Sequence, residues 1–287
     1  MQYMAPTTLD AAVDILAQAT GECRVLAGGT DLLVRMHADM AQPDTVLDIK
    51  RIEGMRSITE EDGGFRIGAA VSGAEMGEHA SLKAAFPGVV EAVELIGSTQ
   101  VQGRATMAGN LCNASPAADS VPAMVAAGAI MRIAGPNGTR DVPVEDVPTG
   151  PGKTILEPSE LIASTFLPAP APRTADAYLR FIPRTEMDIA VVGLGVSVTL
   201  DGSGTCTAAR VGLGAVAPTV LRVDAAADAL IGTTIDDDAL AAMAAACSAA
   251  ANPIDDKRGT VEYRVHMSGV LAKRAALIAK QRAEAAA

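Results

Sequence analysis

The run Pro168-Ala-Pro170-Ala-Pro172 most limits what this chain can become. Each proline removes a backbone donor and fixes φ, so the run defeats helix and sheet alike and favours extended polyproline geometry. A chain of 287 residues interrupted there reads as two units, 1–170 and 177–287. That division suits a length prior of roughly 150 residues per domain.

In the first unit, Thr7-Thr8 precedes Leu9, Ala12, Val13 and Leu16, whose spacing predicts a capped amphipathic helix closed at Gly21. A strand around Val25 then meets Gly28-Gly29, after which Thr30 or Asp31 caps a helix through Leu32, Leu33, Val34 and Met36. Val46 to Ile49 predicts a further strand, so residues 1–54 read as a compact α/β subdomain. From Met55 the pattern alternates. Ser57-Ile58-Thr59 and Phe65-Arg66-Ile67 flank Gly63-Gly64 and predict a hairpin that opens a second subdomain, 55–170. Helices are predicted at 74–79, 89–96 and 123–127, and strands at 130–133, 140–144 and 160–167.

Two stretches offer chemistry. Arg24 to Leu33 carries a strand into Ala27-Gly28-Gly29-Thr30-Asp31, a turn that presents backbone N–H groups to an anion. By itself it could be only a tight strand-to-helix turn. Thr106 to Pro122 is nearly devoid of bulk and includes Thr106, Gly109, Asn110, Ser115 and Asp119. Small residues let backbone approach a ligand, and hydroxyls, amides and free N–H groups suit phosphate and sugar oxygens. Together the two stretches suggest a ligand with two phosphates and a sugar lying between loops.

Beyond the prolines, residues 177–181, 189–200 and 206–216 predict three antiparallel strands, the last two joined by a turn at Asp201-Gly202-Ser203-Gly204. Helices at 224–230, 237–251 and 261–281 would back that sheet. Hydrophobic residues make up 49% of the chain but aromatics only 2%, with no Trp, so the cores must be built from Ala, Val, Leu, Ile and Met. The fold class is α+β.

A formal charge of −11 argues against a nucleic-acid partner, which needs a basic face and aromatic stacking platforms. Cys23, Cys112, Cys206 and Cys247 are scattered, as are His37, His79 and His266, so no metal or cluster site is expected. The opening residues carry no targeting pattern and no stretch suits a membrane span, which predicts a cytoplasmic protein with reduced thiols. Gly150-Pro-Gly152-Lys153-Thr154 ends like a phosphate loop, but Val147 stands where its first Gly belongs. Gly212-Leu-Gly214-Ala-Val-Ala217 imitates a dinucleotide fingerprint, yet Pro218 follows it where a helix should start. Those glycines are expected to permit close packing of strands.

These motifs resemble the flavin-binding medium subunits of molybdenum hydroxylases, a group that includes carbon monoxide dehydrogenase and the flavin domain of xanthine dehydrogenase. Leu26-Ala-Gly-Gly-Thr-Asp-Leu32 looks like the first flavin loop, and Thr106-Met-Ala-Gly-Asn110 with Ser115-Pro-x-x-Asp119-x-x-Pro122 like the second. Arg184-x-x-x-Asp188-Ile189-Ala190 and Glu262-Tyr263-Arg264 resemble a third and a fourth element, so the likeness covers nearly the whole chain.

The resemblance implies a two-subdomain FAD-binding domain of the vanillyl-alcohol-oxidase-like type, then a smaller α/β domain. It implies FAD held by the backbone of Ala27, Gly28, Gly29, Thr30 and Asp31, with further contacts from Thr106, Gly109, Asn110, Ser115 and Asp119. Leu161 and Ile162 would lie near the isoalloxazine ring and Arg180 near its edge. Asp119 could equally cap the helix after it, and Asp188 could serve as a cap or as an ion-pair partner of Arg184. Where some relatives place a Tyr over the flavin, this chain has Met187-Asp188-Ile189.

In such an assembly this chain passes electrons from iron–sulfur clusters to FAD and on to a terminal acceptor. No catalytic acid, base or nucleophile is required of it. A large molybdopterin-binding subunit and a small subunit with [2Fe-2S] clusters would be its partners, in a dimer of heterotrimers. Two alternatives are a self-sufficient flavin oxidoreductase and a non-catalytic assembly subunit that retains the fold.

Overall fold

The computed structural model describes residues 1–286. Ala287, the last residue of the second expected unit, lies outside them. The chain opens with β1 (Gln2–Met4), α1 (Leu9–Gln18), β2 (Cys23–Leu26), α2 (Leu32–His37) and β3 (Thr45–Asp48), which make a parallel sheet in the order β1-β3-β2. The Thr8 hydroxyl accepts the Ala11 N–H at 3.3 Å and starts α1, whose Ala12, Val13 and Leu16 are buried as one stripe. Strand β1 was not expected: it is three residues long and exposed throughout, so it carries no period to read.

A five-stranded antiparallel sheet follows, built from β4 (Ile58–Glu61) and β5 (Gly64–Gly68) and completed after a run of helices. The hairpin turn sits one residue earlier than expected, at Asp62-Gly63, with φ of 50° and 74°. Both values are positive, as a type I′ turn requires. The helices are α3 (Gly73–Glu78), α4 (Ala80–Ala85), α5 (Pro87–Glu94), α6 (Thr99–Gln102), α7 (Met107–Cys112) and α8 (Ser120–Ala126). Then come β6 (Ile130–Gly135), β7 (Gly138–Pro143), the small ribbon β8 (Pro148–Gly150) with β9 (Lys153–Thr154), and β10 (Leu161–Leu167). The sheet order is β4-β5-β10-β6-β7. The phosphate-loop imitation therefore forms a ribbon turn and leads into no helix.

The remaining chain forms β11 (Thr174–Phe181), β12 (Val192–Leu200), β13 (Cys206–Gly214) and β14 (Leu221–Arg222), then α9 (Asp224–Asp228), α10 (Asp237–Ala250) and α11 (Val261–Ala285). Its sheet runs β11-β12-β13-β14, so the three long antiparallel strands gain a two-residue fourth, too short for any sequence pattern. Alanine takes the place of aromatics in this core. Ala272, Ala275, Ala276, Ala279 and Ala283 are fully buried along α11, which lets the helix lie close to the sheet.

Helices α5 and α8 of the first half cover the other face of that sheet. A Cβ on Gly212 would stand 2.3 Å from the Pro122 carbonyl oxygen and one on Gly214 2.6 Å from its ring, so these glycines admit a helix and not, as expected, another strand; Gly195 does the same, at 2.4 Å from that oxygen. The Asp176 carboxylate, on β11, accepts the Gly88 and Val89 N–H groups at 2.8 and 3.2 Å and so caps α5 from across the junction. Arg282, near the end of α11, closes the clasp by pairing with Glu91 and donating to the Asp176 carbonyl oxygen at 2.9 Å.

Candidate functional site

The first loop leaves β2 at Leu26 and turns through Gly28 and Gly29. Gly29 has φ of +81°, which a β-branched side chain would strain. A Cβ on Gly28 would come within 1.9 Å of the Arg104 carbonyl oxygen, so only glycine lets this loop lie against the second segment. The carbonyls of Gly29 and Asp31 accept from Leu33 and Arg35 at 3.0 Å each. The N–H groups of Ala27, Gly28, Gly29, Thr30 and Asp31 meet no acceptor among the described residues. Consecutive unbonded amides of this kind form an anion-binding concavity.

In the second segment the Thr106 hydroxyl accepts the Gly109 N–H at 2.9 Å, so what reads as a loop in the sequence begins a short helix, α7. Asn110 Oδ1 accepts the Ser120 N–H at 3.2 Å and its hydroxyl at 2.8 Å, which ties α7 to α8 and leaves the Asn110 amide nitrogen for the cavity side. Asn113 Nδ2 donates to Asp31 Oδ1 at 3.2 Å and joins the two loops directly. Burial raises the Asp31 carboxyl above its usual range against the opposing pull of Arg35.

Between them lies a cavity of about 320 Å³. Of the residues expected at the site, Ala27, Gly28, Gly29, Thr30, Asp31, Thr106, Gly109, Asn110, Leu161 and Ile162 line it. The amides and small polar groups supply polar lining, and Leu161, Ile162, Ile49 and Leu156 supply apolar wall. Asn113 and Arg35 line it as well, as do Gly152 and Thr154 of the phosphate-loop imitation, a run to which the sequence pattern alone assigns no site. Asn113 at least lies within the polar segment, whereas Thr154 arrives on the β8–β9 ribbon.

Ser115, Asp119 and Arg180 do not line this cavity. The Ser115 hydroxyl accepts the Ala117 N–H at 3.3 Å in the turn before α8. Asp119 receives Arg180 Nη1 at 2.8 Å and the Tyr178 hydroxyl at 3.2 Å, so a buried ion pair joins the second segment to β11. Burial pushes the Asp119 carboxyl up to about 6, opposed by Arg180 and Tyr178. Arg180 Nε is buried and has no partner among the described residues.

In the third element, Asp188 accepts from Arg184 at 3.1 Å, from Arg258 at 3.3 Å and from the Ile189 N–H at 2.8 Å. Those donors, Arg184 first, hold its carboxyl down at about 2. The neighbouring Met187 and Ile189 are 58% and 50% exposed, so this segment presents apolar surface. Among the described residues no group of three or more His, Cys, Asp or Glu could hold a metal ion, and no helix is long and apolar enough to cross a membrane.

Known proteins share this fold. Residues 1–170 match the family model of the FAD binding domain in molybdopterin dehydrogenase, and residues 177–279 that of the CO dehydrogenase flavoprotein C-terminal domain. The chain is 34% identical to the carbon monoxide dehydrogenase medium chain of Hydrogenophaga pseudoflava, over 96% of this chain and 95% of that one. It is 31% identical to the xanthine dehydrogenase FAD-binding subunit of Escherichia coli O157:H7, over 95% and 93% of the two. A solved carbon monoxide dehydrogenase from Hydrogenophaga pseudoflava superimposes with a TM-score of 0.93 at 35% identity, covering 98% of each chain.

Proposed function

The chain belongs to the family of FAD-binding domains of molybdopterin dehydrogenases, and from that premise we propose that it is their electron-transfer subunit. It takes electrons from the iron–sulfur clusters of a partner to FAD and on to a terminal acceptor. The observation that carries this reading is the row of unbonded amides from Ala27 to Asp31 in residues that line a cavity shared with α7. A diphosphate needs several fixed donors, and backbone amides supply them in a chain whose formal charge is −11.

The first-loop amides hold the diphosphate, and Thr106, Gly109 and Asn110 extend the contacts along the sugar-like chain. Leu161 and Ile162 offer apolar wall to the flavin ring. Ser115, Asp119 and Arg180 would serve the same site from outside the cavity: the Asp119–Arg180 ion pair fixes the second segment on β11, and Ser115 holds the turn before α8. Bound there, FAD supplies the change between one- and two-electron transfer, while the protein positions it and excludes water.

The two hydrophobic cores support a division into a flavin domain, 1–170, and a second domain, 177–287; the three-stranded and five-stranded sheets support subdomains of the first at about 1–54 and 55–170. Substrate oxidation belongs to a large molybdopterin-binding subunit, and the [2Fe-2S] clusters to a small one, in a cytoplasmic dimer of heterotrimers. The four free cysteines suit a reducing compartment. A visible spectrum of the purified chain, with identification of released cofactor and a titration with FAD, tests the reading. Released or saturably bound FAD is the expected result, and absence of both from the chain co-produced with its partners would overturn it.

A further inference from the structure

The first loop is gripped from behind, on the side away from the cavity. Lys50 Nζ donates to the Ala27 carbonyl oxygen at 3.0 Å. The same nitrogen lies 2.8 Å from Asp48 Oδ1, which also accepts the Lys50 backbone N–H at 2.9 Å. The second oxygen of Asp48 accepts the Tyr3 hydroxyl at 2.6 Å. Asp48, at the centre of this relay, is only 5% exposed, Lys50 is partly covered, and Tyr3 lies at the surface. It starts on β1, crosses β3 and ends at the tip of β2.

A trans peptide unit is planar, with its C=O and N–H pointing in opposite directions. The Ala27 carbonyl is turned toward Lys50, so the N–H of Gly28, in the same peptide plane, must point away from it. Gly28 lines the cavity, Lys50 does not, and the Gly28 N–H has no acceptor among the described residues. A reversed peptide would put a carbonyl oxygen where a phosphate needs a donor.

We propose that Lys50 is a positioning residue for diphosphate recognition: it holds the Ala27–Gly28 peptide so that the amide faces the cavity, and Asp48 and Tyr3 hold Lys50. The inference rests on the flavin reading above and deepens it. Lys50 acts through the loop and touches no part of the ligand.

The test compares FAD with riboflavin, which lacks the diphosphate, by titrating the full-length apoprotein and following flavin fluorescence. Lys50→Met should weaken FAD about tenfold, the scale of one charge-assisted hydrogen bond, and leave riboflavin unchanged. Lys50→Arg should recover most of the loss. Tyr3→Phe keeps every charge and should weaken FAD about two- to threefold, again without effect on riboflavin. If Lys50→Met does not fold, Tyr3→Phe decides by the same split.

FAD binding by Lys50→Met equal to that of the parent overturns the proposal, and so does an equal loss of both flavins, the mark of a generally loosened fold. A parent that takes up neither flavin, alone or co-produced with its partners, removes the flavin reading, and this proposal with it. A parent that binds FAD leaves that reading standing whatever the variants do.

Discussion

Gly28-Gly29 and Gly212-Leu-Gly214 look alike as strings, since each sets glycines at the end of a strand and each imitates a nucleotide-binding turn. Their surroundings differ. Around the first pair the amides are unbonded and face a cavity, and the missing Cβ of Gly28 makes room for the backbone of the second segment. Gly212 lies within β13, paired to Gly195, and its missing Cβ makes room for Pro122 of α8. Glycine at a strand end thus says only that something comes close. Free amides decide whether that something is a ligand.

Substitution separates the two cases. Gly29→Val forces a β-branched residue to φ of +81° and should weaken FAD on the order of a hundredfold while the melting temperature changes far less. Normal flavin content in that variant would break the comparison at once. Gly212→Val should do the reverse: overpacking against the Pro122 carbonyl costs about 1–3 kcal/mol of stability, read as a lower melting temperature, with FAD affinity nearly kept in the folded fraction. Loss of FAD without loss of stability would assign Gly212 to the site.

Much of this architecture was legible before any coordinates, and for physical reasons. Thr8 and the stripe of Ala12, Val13 and Leu16 give α1 both its start and its buried face. The first loop stood out because small residues crowd between a strand and a helix. By contrast α4, α6 and α7, of six, four and six residues, are too short for a helical period to declare itself. Lys50 was invisible because its role depends on β2 and β3 being neighbours, and no spacing along the chain encodes that. The same holds for Asp119 and Arg180, whose pairing joins residues 61 positions apart.

Smaller effects sharpen the contrast. Asn110→Ala removes the acceptor of both Ser120 bonds and should weaken FAD about fivefold, a loss near 1 kcal/mol that a binding isotherm resolves. Equal binding by that variant would take Asn110 off the site. Acid should act last. Burial disfavours the Asp48 carboxylate, but Lys50 and Tyr3 outweigh it and hold its pKa below the usual range. A depressed carboxyl stabilises the fold fully above its unfolded value of about 3.9 and loses that contribution as pH falls through the folded one. The Asp48 contribution to flavin release should therefore appear only below about pH 4, after any loss from Asp119, whose carboxyl is pushed up to about 6; Asp48→Asn should blunt that lower part of the acid dependence, and an unchanged profile there in that variant would detach Asp48 from the loop.

The clasp between Glu91 and Arg282 spans 191 positions, and it has a consequence in time. Domains of a growing chain fold as units, the N-terminal one first. Every residue lining the cavity lies between Leu16 and Ile162, so the cofactor's berth emerges from the ribosome long before Arg282 is made. Asp176, which caps α5, also waits for that arginine. Synthesis thus orders the parts: the cavity lining is complete at Ile162, while Asp176, Tyr178 and Arg180, which fix α5 and the second segment, come after it, and Arg282 comes last.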